Sequence, residues 1–407
     1  MIISRREILR VIGAGALPLL TEKWPEALAQ TPPAKKYELL LKGARVIDPS
    51  QNFNAIADVA VAGGKIAAIA RDIDARDADR TVPVTGQLVT PGLVDLHTHG
   101  FAGISHWGVN LDQYCIARGV TTAVDAGTSG SDSFEGFRRL VIETSRTRVV
   151  AFLNISRVGL IGQPGELVDT RMIDAPSALR VAKEHADVIV GIKVRCSENY
   201  SGPNDLAAVR AARSVADQIG KPIMIHVGSP HSPMEQILEL AKRGDIVTHA
   251  FRRGGTGGVI GPDGRVSDYI RRAADRGILF DVGHGSGSFS FAAAEAALKE
   301  NFPPASISSD IHAYSALGPV FDLPTTMTKM LLLGMPLEKV VELTTVTPAR
   351  AISKPQEMGS LTPGSSADIA VFDLVQGSFS LVDSQGDTRK ATQKLVPVLA
   401  LRQGRIP

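Results

Sequence analysis

The chain has 407 residues, 44 Lys and Arg against 42 Asp and Glu, a formal net charge of +2 and 5% aromatic residues. Near neutrality with so few aromatics gives neither the electrostatic footprint nor the stacking platform of a nucleic-acid binder. With Cys115 and Cys196 as its two cysteines, it has no disulfide framework, and the length suffices for a large core with no visible repeat period.

In chain order, Ser4-Arg-Arg-Glu-Ile-Leu-Arg10 precedes the apolar stretch Val11 to Leu20, and Ala27-Leu-Ala29 offers a small-residue cleavage site. Residues 1–29 therefore read as a signal peptide. The pair Arg5 and Arg6 resembles a twin-arginine leader, which implies the twin-arginine export machinery as a partner and a periplasmic destination. An ordinary amphipathic helix is the alternative. The apolar stretch is too short to remain as a spanning anchor.

Residues 37–89 alternate apolar and polar side chains with glycine breaks, and so do Gly359 to Asp373 and Lys394 to Ile406. Together they predict one small β-sandwich domain formed from both chain ends, residues 37–89 and 355–407. Between them, eight short β-branched runs fall near residues 92–97, 121–125, 149–155, 188–193, 222–226, 245–249, 278–282 and 305–309. Helix-like stretches over Ser177–Glu184, Asp205–Ile219 and Met234–Lys242 intervene. This α/β alternation over residues 90–354 has the strand count of a TIM (β/α)8 barrel, with functional side chains at the carboxyl ends of its strands.

Six residues with metal-site chemistry sit at or just past the ends of those runs: His97, His99, Lys193, His226, His249 and Asp310. Imidazole nitrogen and carboxylate oxygen are the usual donors for zinc and related divalent ions. His97 and His99, two apart on one strand, face the same side. Any one of these histidines alone reads equally as a hydrogen-bonded structural residue; the ordered set does not. Lys193 needs its charge changed before it can bind a cation. Carbon dioxide adding to the neutral amine would do so, although imine chemistry or pairing with an acid are alternatives.

Thr90-Pro-Gly-Leu-Val-Asp-Leu-His-Thr-His-Gly100, Gly119 to Thr128, Gly191-Ile-Lys-Val-Arg195, Ile225-His-Val-Gly228, Gly244 to His249, Phe280-Asp-Val-Gly-His-Gly285 and Ser308-Ser-Asp310 carry a resemblance that runs from about residue 37 to the end. With these segments the chain resembles the amidohydrolase superfamily and, within it, dihydroorotase-like metallohydrolases of the deacetylase group. The resemblance implies two zinc-type ions, one held by His97, His99 and Asp310, the other by His226 and His249, with N6-carboxylated Lys193 bridging them. It also implies a metal-bridging hydroxide as nucleophile and Asp310 as general base and acid.

Arg195, two residues past Lys193, either clamps a substrate carboxylate or pairs with an acid. His284, at the seventh strand end, is a candidate substrate donor or proton carrier. The glycine-rich run Gly254 to Gly258 has no helix directly behind it for phosphate binding, and reads as an active-site loop with Arg252 and Arg253 as substrate contacts. Cys115 reads as a small buried apolar residue, and Cys196 as a residue that could line the site. His106, His185, His231 and His312 have no comparable placement. The expected activity is hydrolysis of an amide or ester in a small acylated amino or hydroxy acid. Cyclic-amide hydrolysis is the nearest alternative, and an inactive scaffold would be expected to have lost ligands that are all present here. A homo-oligomer is compatible with this reading.

Overall fold

The computed structural model describes residues 35–254 and 256–407, so the expected leader lies outside the described residues. Five strands come first: β1 (Tyr37–Asp48), β2 (Phe53–Ala62), β3 (Lys65–Ala70), β4 (Ala78–Pro83) and β5 (Leu88–Pro91). Next are β6 (Leu93–Thr98), β7 (Val120–Ala126), β8 (Arg148–Asn154), β9 (Ile189–Cys196), β10 (Ile223–Val227), β11 (Ile246–Thr248) and β12 (Leu279–Phe280). The last two are β13 (Ile369–Val382) and β14 (Thr388–Leu401).

Strands β6 to β12 pair in chain order, all parallel, with helices in several of the crossovers. The sheet curls until its two edges meet the segment around residues 306–311, where Ser306 bridges Asp281 and Ile311 bridges Thr98. The eighth expected strand is therefore reduced to two bridges. β11 stops at Thr248, where His249 turns left-handed (φ 70°), and left-handed Asp310 (φ 48°), just past the eighth expected run, separates the Ser306 bridge from the Ile311 bridge. A non-glycine residue in that region cannot continue a strand.

Helix ends follow local chemistry. The Asp174 carboxylate accepts the Ser177 N–H to open Ala175–Glu184, and Gly220 in the left-handed region closes Asp205–Ile219. Inside the curled sheet, Val94, Leu96, Val124, Phe152, Val190, Met224 and Ile246 pack on Ala349, Ile352 and Met358. Outward-facing side chains, such as Ile192, Val194 and Cys196 on β9, pack into the layer beneath the helices. This alternation turns Lys193 and Arg195 inward and puts Cys196 in the outer layer, away from the site that its position after Lys193 left open to it.

The terminal strands depart from the expected sandwich. They form one seven-stranded sheet of order β14-β13-β5-β1-β2-β3, with β4 also paired to β1, instead of two sheets face to face. Only Ile369–Phe372 of β13 pair with β5; past an irregularity at Val371/Phe372, β13 and β14 continue as a two-stranded ribbon. The apolar residues Phe379, Leu381, Ala391 and Leu395 of that ribbon join the outer layer of the curled sheet, and Leu395 N donates to Thr328 Oγ1 on the helix Leu323–Leu332 at 3.2 Å. Burial of this apolar stripe on the helices is what draws the hairpin away from a second sheet.

Phe152 fills the interior where a side chain on Gly191 would lie only 2.4 Å from its ring. Phe152→Ala is expected to cost about 3–5 kcal/mol, measured as a lower guanidinium midpoint with unchanged slope; an unchanged midpoint would show that this packing does not hold the interior together.

Candidate metal centre

The six residues come from five different parts of the ring. His97 is the penultimate residue of β6 and His99 follows the strand, Lys193 lies within β9, His226 within β10, His249 follows β11, and Asp310 lies in the closing segment. One ligand atom each of His97, His249 and Asp310 lies within 4.8 Å of the others. Asp310 Oδ1 is 3.3 Å from His97 Nε2 and 3.2 Å from His99 Nε2, and Oδ2 is 3.9 Å from His249 Nε2. The His226 ring centre is 4.2 Å from that of His249, and Lys193 Nζ is 3.3 Å from His97 Nε2.

Hydrogen bonds behind the imidazoles decide which nitrogen faces inward. His249 Nδ1 lies 2.6 Å from the Gly283 carbonyl, which can only accept, so Nδ1 carries the hydrogen. His97 Nδ1 lies 2.9 Å from Thr248 Oγ1, whose own hydrogen goes to Asp281. His99 Nδ1 likewise meets Thr128 Oγ1 at 2.8 Å, and that hydroxyl donates to Asp125. Each threonine has one hydrogen, already given to a carboxylate, and so accepts from the imidazole. All three Nε2 atoms consequently present lone pairs to one another and to a carboxylate.

Burial pushes His99 and His249 down to about 3 and holds His97 and His226 well below the usual imidazole range, so none of the four is charged near neutral pH. The short histidine–Asp310 distances are therefore not ion pairs. His249 Nε2 and Asp310 Oδ1 are buried and have no hydrogen-bond partner among the described residues. Lys193 Nζ reaches His97 Nε2 at 3.3 Å, but His249 Nε2 and Asp310 Oδ1 remain without a donor among the described residues, an arrangement a cation relieves, and imidazole with carboxylate is the donor set zinc-type ions take. The residues present thus fit a divalent metal.

Two glycines of the Phe280 to Gly285 run make room for this packing. A Cβ at Gly283 would lie 2.1 Å from Thr248 Oγ1, and one at Gly285 would lie 2.3 Å from Asp310 Oδ2; both glycines have positive φ. Asp281 collects the hydroxyls of Thr248, Ser306 and Ser308 at 2.8, 2.6 and 2.6 Å, tying the sixth, seventh and closing segments together behind the ligands.

Above the ligands opens a cavity of about 420 Å³ lined by Trp107, Arg195, Tyr200, His226, Arg252, Asp310 and His312, among others. Arg195 lines it, but its Nε and Nη2 lie 2.6 and 2.9 Å from the two carboxylate oxygens of Glu166, so the ion-pair alternative describes its main contact. His284 is placed differently from expectation. Its side chain is fully buried outside the cavity, stacked on Phe289, with Nε2 2.7 Å from Lys329 Nζ and Nδ1 2.9 Å from the Gly285 carbonyl. The backbone turn at Gly283 and Gly285 directs it there and leaves Ser286, Gly287 and Ser288 at the cavity wall. Arg252 reaches the cavity, and Arg253 is not among its lining residues.

His312 was passed over in the sequence. Its Nε2 lies 3.8 Å from Asp310 Oδ2, and Nδ1 accepts the Tyr314 N–H at 3.2 Å, which leaves the hydrogen on Nε2, toward the site. Burial lowers it to about 4, so it is neutral. The available signal was its position two residues beyond Asp310. Trp107, 4.8 Å from the His312 ring, sits on a loop with no motif to mark it.

Thr248→Val keeps the shape and removes both the acceptor for His97 Nδ1 and the donor to Asp281. Metal affinity is expected to fall about 10–100-fold in chelator competition with the circular dichroism spectrum retained; unchanged affinity would show that the threonine does not orient His97.

The amidohydrolase family model matches residues 88–406. The chain is 39% identical over 347 residues to a deacetylase of Agrobacterium fabrum, covering 84% of this chain and 85% of that relative. Among solved structures it resembles one titled an adenine deaminase, with TM-score 0.85, 32% identity, and coverage of 91% of this chain and 99% of the other. It also resembles one titled a dihydroorotase, with TM-score 0.83, 35% identity and coverage of 90% and 96%. The family match spans the curled sheet and every converging ligand, and the chain belongs to the amidohydrolase family.

Proposed function

We propose that the protein is a binuclear-metal-dependent deacetylase of small N- or O-acylated amino or hydroxy acids. Family membership makes it a hydrolase of carbon–nitrogen bonds. The observation that carries the finer reading is the cluster of imidazole and carboxylate acceptors, with His249 Nε2 and Asp310 Oδ1 lacking partners among the described residues, at the floor of a cavity sized for a small molecule. The likeness to a deacetylase, over 84% of this chain, supports acyl transfer to water.

His97, His99 and Asp310 would hold one divalent ion and His226 and His249 the other. Such ions, when bound, supply the Lewis acidity that activates water and polarises the scissile carbonyl. Lys193 is fully buried with its Nζ beside His97 Nε2 and Met224 Sδ, and burial lowers it to about 7. A large share is then neutral amine near pH 7. Its nitrogen would add to carbon dioxide and lose a proton, and the resulting anionic carbamate would serve as a ligand for the two ions. Asp310, whose Oδ1 is free of protein donors among the described residues, takes the proton from the attacking water. It returns that proton to the leaving nitrogen or oxygen as the acyl bond breaks. His312 presents its Nε2 hydrogen at the same edge, suited to a substrate oxygen.

The likeness to a dihydroorotase favours a second reading, hydrolysis of a cyclic amide by the same groups. The two separate in one assay series on metal-restored protein with N-acetyl amino acids, O-acetyl hydroxy acids, dihydroorotate and hydantoin. Release of acetate is expected, with Lys193→Ala lowering kcat at least about 10³-fold. Reversible ring opening without acetate release would establish the second reading; hydrolysis unaffected by Lys193→Ala would contradict both.

A further inference from the structure

Two arginines reach the cavity, and their electrostatic surroundings differ. Arg195 is 4% exposed, its fork is taken by Glu166, and its guanidinium carbon lies 3.4 Å from the centre of the Tyr200 ring. That charge is cancelled inside the protein. Arg252 stands three residues after His249 and donates from Nη1 to the Val227 carbonyl at 3.1 Å, the residue next to His226. Its Nε is buried with no hydrogen-bond partner, and it makes no ion pair, among the described residues. A Cβ at Gly228 would lie 2.3 Å from Ser197 Oγ and 3.4 Å from Arg252 Nη1, so this glycine keeps the space beside the guanidinium open.

A guanidinium partly withdrawn from water, anchored by one neutral carbonyl and carrying an orphaned N–H, lacks the counter-charge that buried cations require. Burial accordingly makes Arg252 a stronger acid than usual, the opposite of what a carboxylate partner would do. Guanidinium edges match the two oxygens of a carboxylate in one plane. We propose that Arg252 is the receptor for the substrate's carboxylate, holding it beside the strand that carries His226, while the Arg195–Glu166 pair forms a neutral wall. This assigns the enzyme to acyl compounds bearing a free acid and rests on the deacetylase reading above. The tether to Val227 fixes the guanidinium in place before substrate arrives, so the recognition is of one charge position and not of net charge.

The test compares N-acetylalanine with N-acetylalaninamide, each enantiomer, on metal-loaded wild-type protein and Arg252→Met, with N-acetylalanine binding followed by calorimetry. The ratio of kcat/KM for acid over amide is expected to drop about 100-fold in the variant, mostly through KM, with a matching loss of N-acetylalanine affinity. A ratio within threefold of wild type overturns the proposal. If wild-type protein hydrolyses neither compound, the deacetylase reading fails, and calorimetry alone decides Arg252: tighter binding to wild type than to the variant supports the receptor, and equal or absent binding overturns it. Should Arg252→Met not fold, Arg252→Lys replaces it, keeping the charge and losing the fork, with about a tenfold drop expected in the same ratio.

Discussion

His97, His99 and His249 each give their Nδ1 hydrogen to an acceptor held by a neighbouring element, and this one arrangement determines what the centre can be. With that hydrogen committed outward, Nε2 has only a lone pair to offer. The threonines that accept it are themselves fixed by Asp281 and Asp125, so the inward aim of the imidazoles depends on carboxylates that never reach the cavity. Had Thr248 or Thr128 donated instead, the neighbouring imidazole would have carried its hydrogen toward Asp310, and the same residues would form a hydrogen-bonded cluster with no need of a cation.

The arrangement is costly without its cation. Each buried acceptor left without a donor, His249 Nε2 and Asp310 Oδ1 among them, costs about 1–3 kcal/mol. Left-handed backbone at His249 and Asp310 adds a similar amount at each. The surrounding structure offsets these terms. The Gly285 N–H reaches the Ser309 carbonyl at 3.0 Å, and Ser384 Oγ at the tip of the β13–β14 hairpin donates to the Gly285 carbonyl at 2.8 Å. Phe291 N donates to the Asp383 carboxylate on the same tip at 2.9 Å. The C-terminal hairpin thus clamps the cavity wall next to Asp310, which is a use of the chain end that a separate sandwich would not provide.

The ligands were legible because each closes a run of β-branched residues, and a parallel sheet gathers the ends of such runs at one face. Both flanks were legible as strands, yet their assembly into one sheet with a ribbon laid on the helices depended on where Phe379, Leu381 and Leu395 find apolar partners, which alternation alone does not encode. His284 looked functional because it is a polar residue in the right motif. The motif's work is instead done by Asp281, Gly283 and Gly285, and the two positive φ values turn the intervening imidazole away from the cavity. His312 stayed hidden for the converse reason: it lies two residues beyond Asp310 but in no motif, and its nearness to a ligand does not by itself show that the chain there folds back over the site.

Metal content per chain tests the central claim most directly, by elemental analysis of protein grown with zinc and bicarbonate, joined to a native mass measurement of the intact chain. The account predicts two divalent ions per chain and the added mass of one carbon dioxide on Lys193. One ion or none, with Lys193 unmodified, would contradict it.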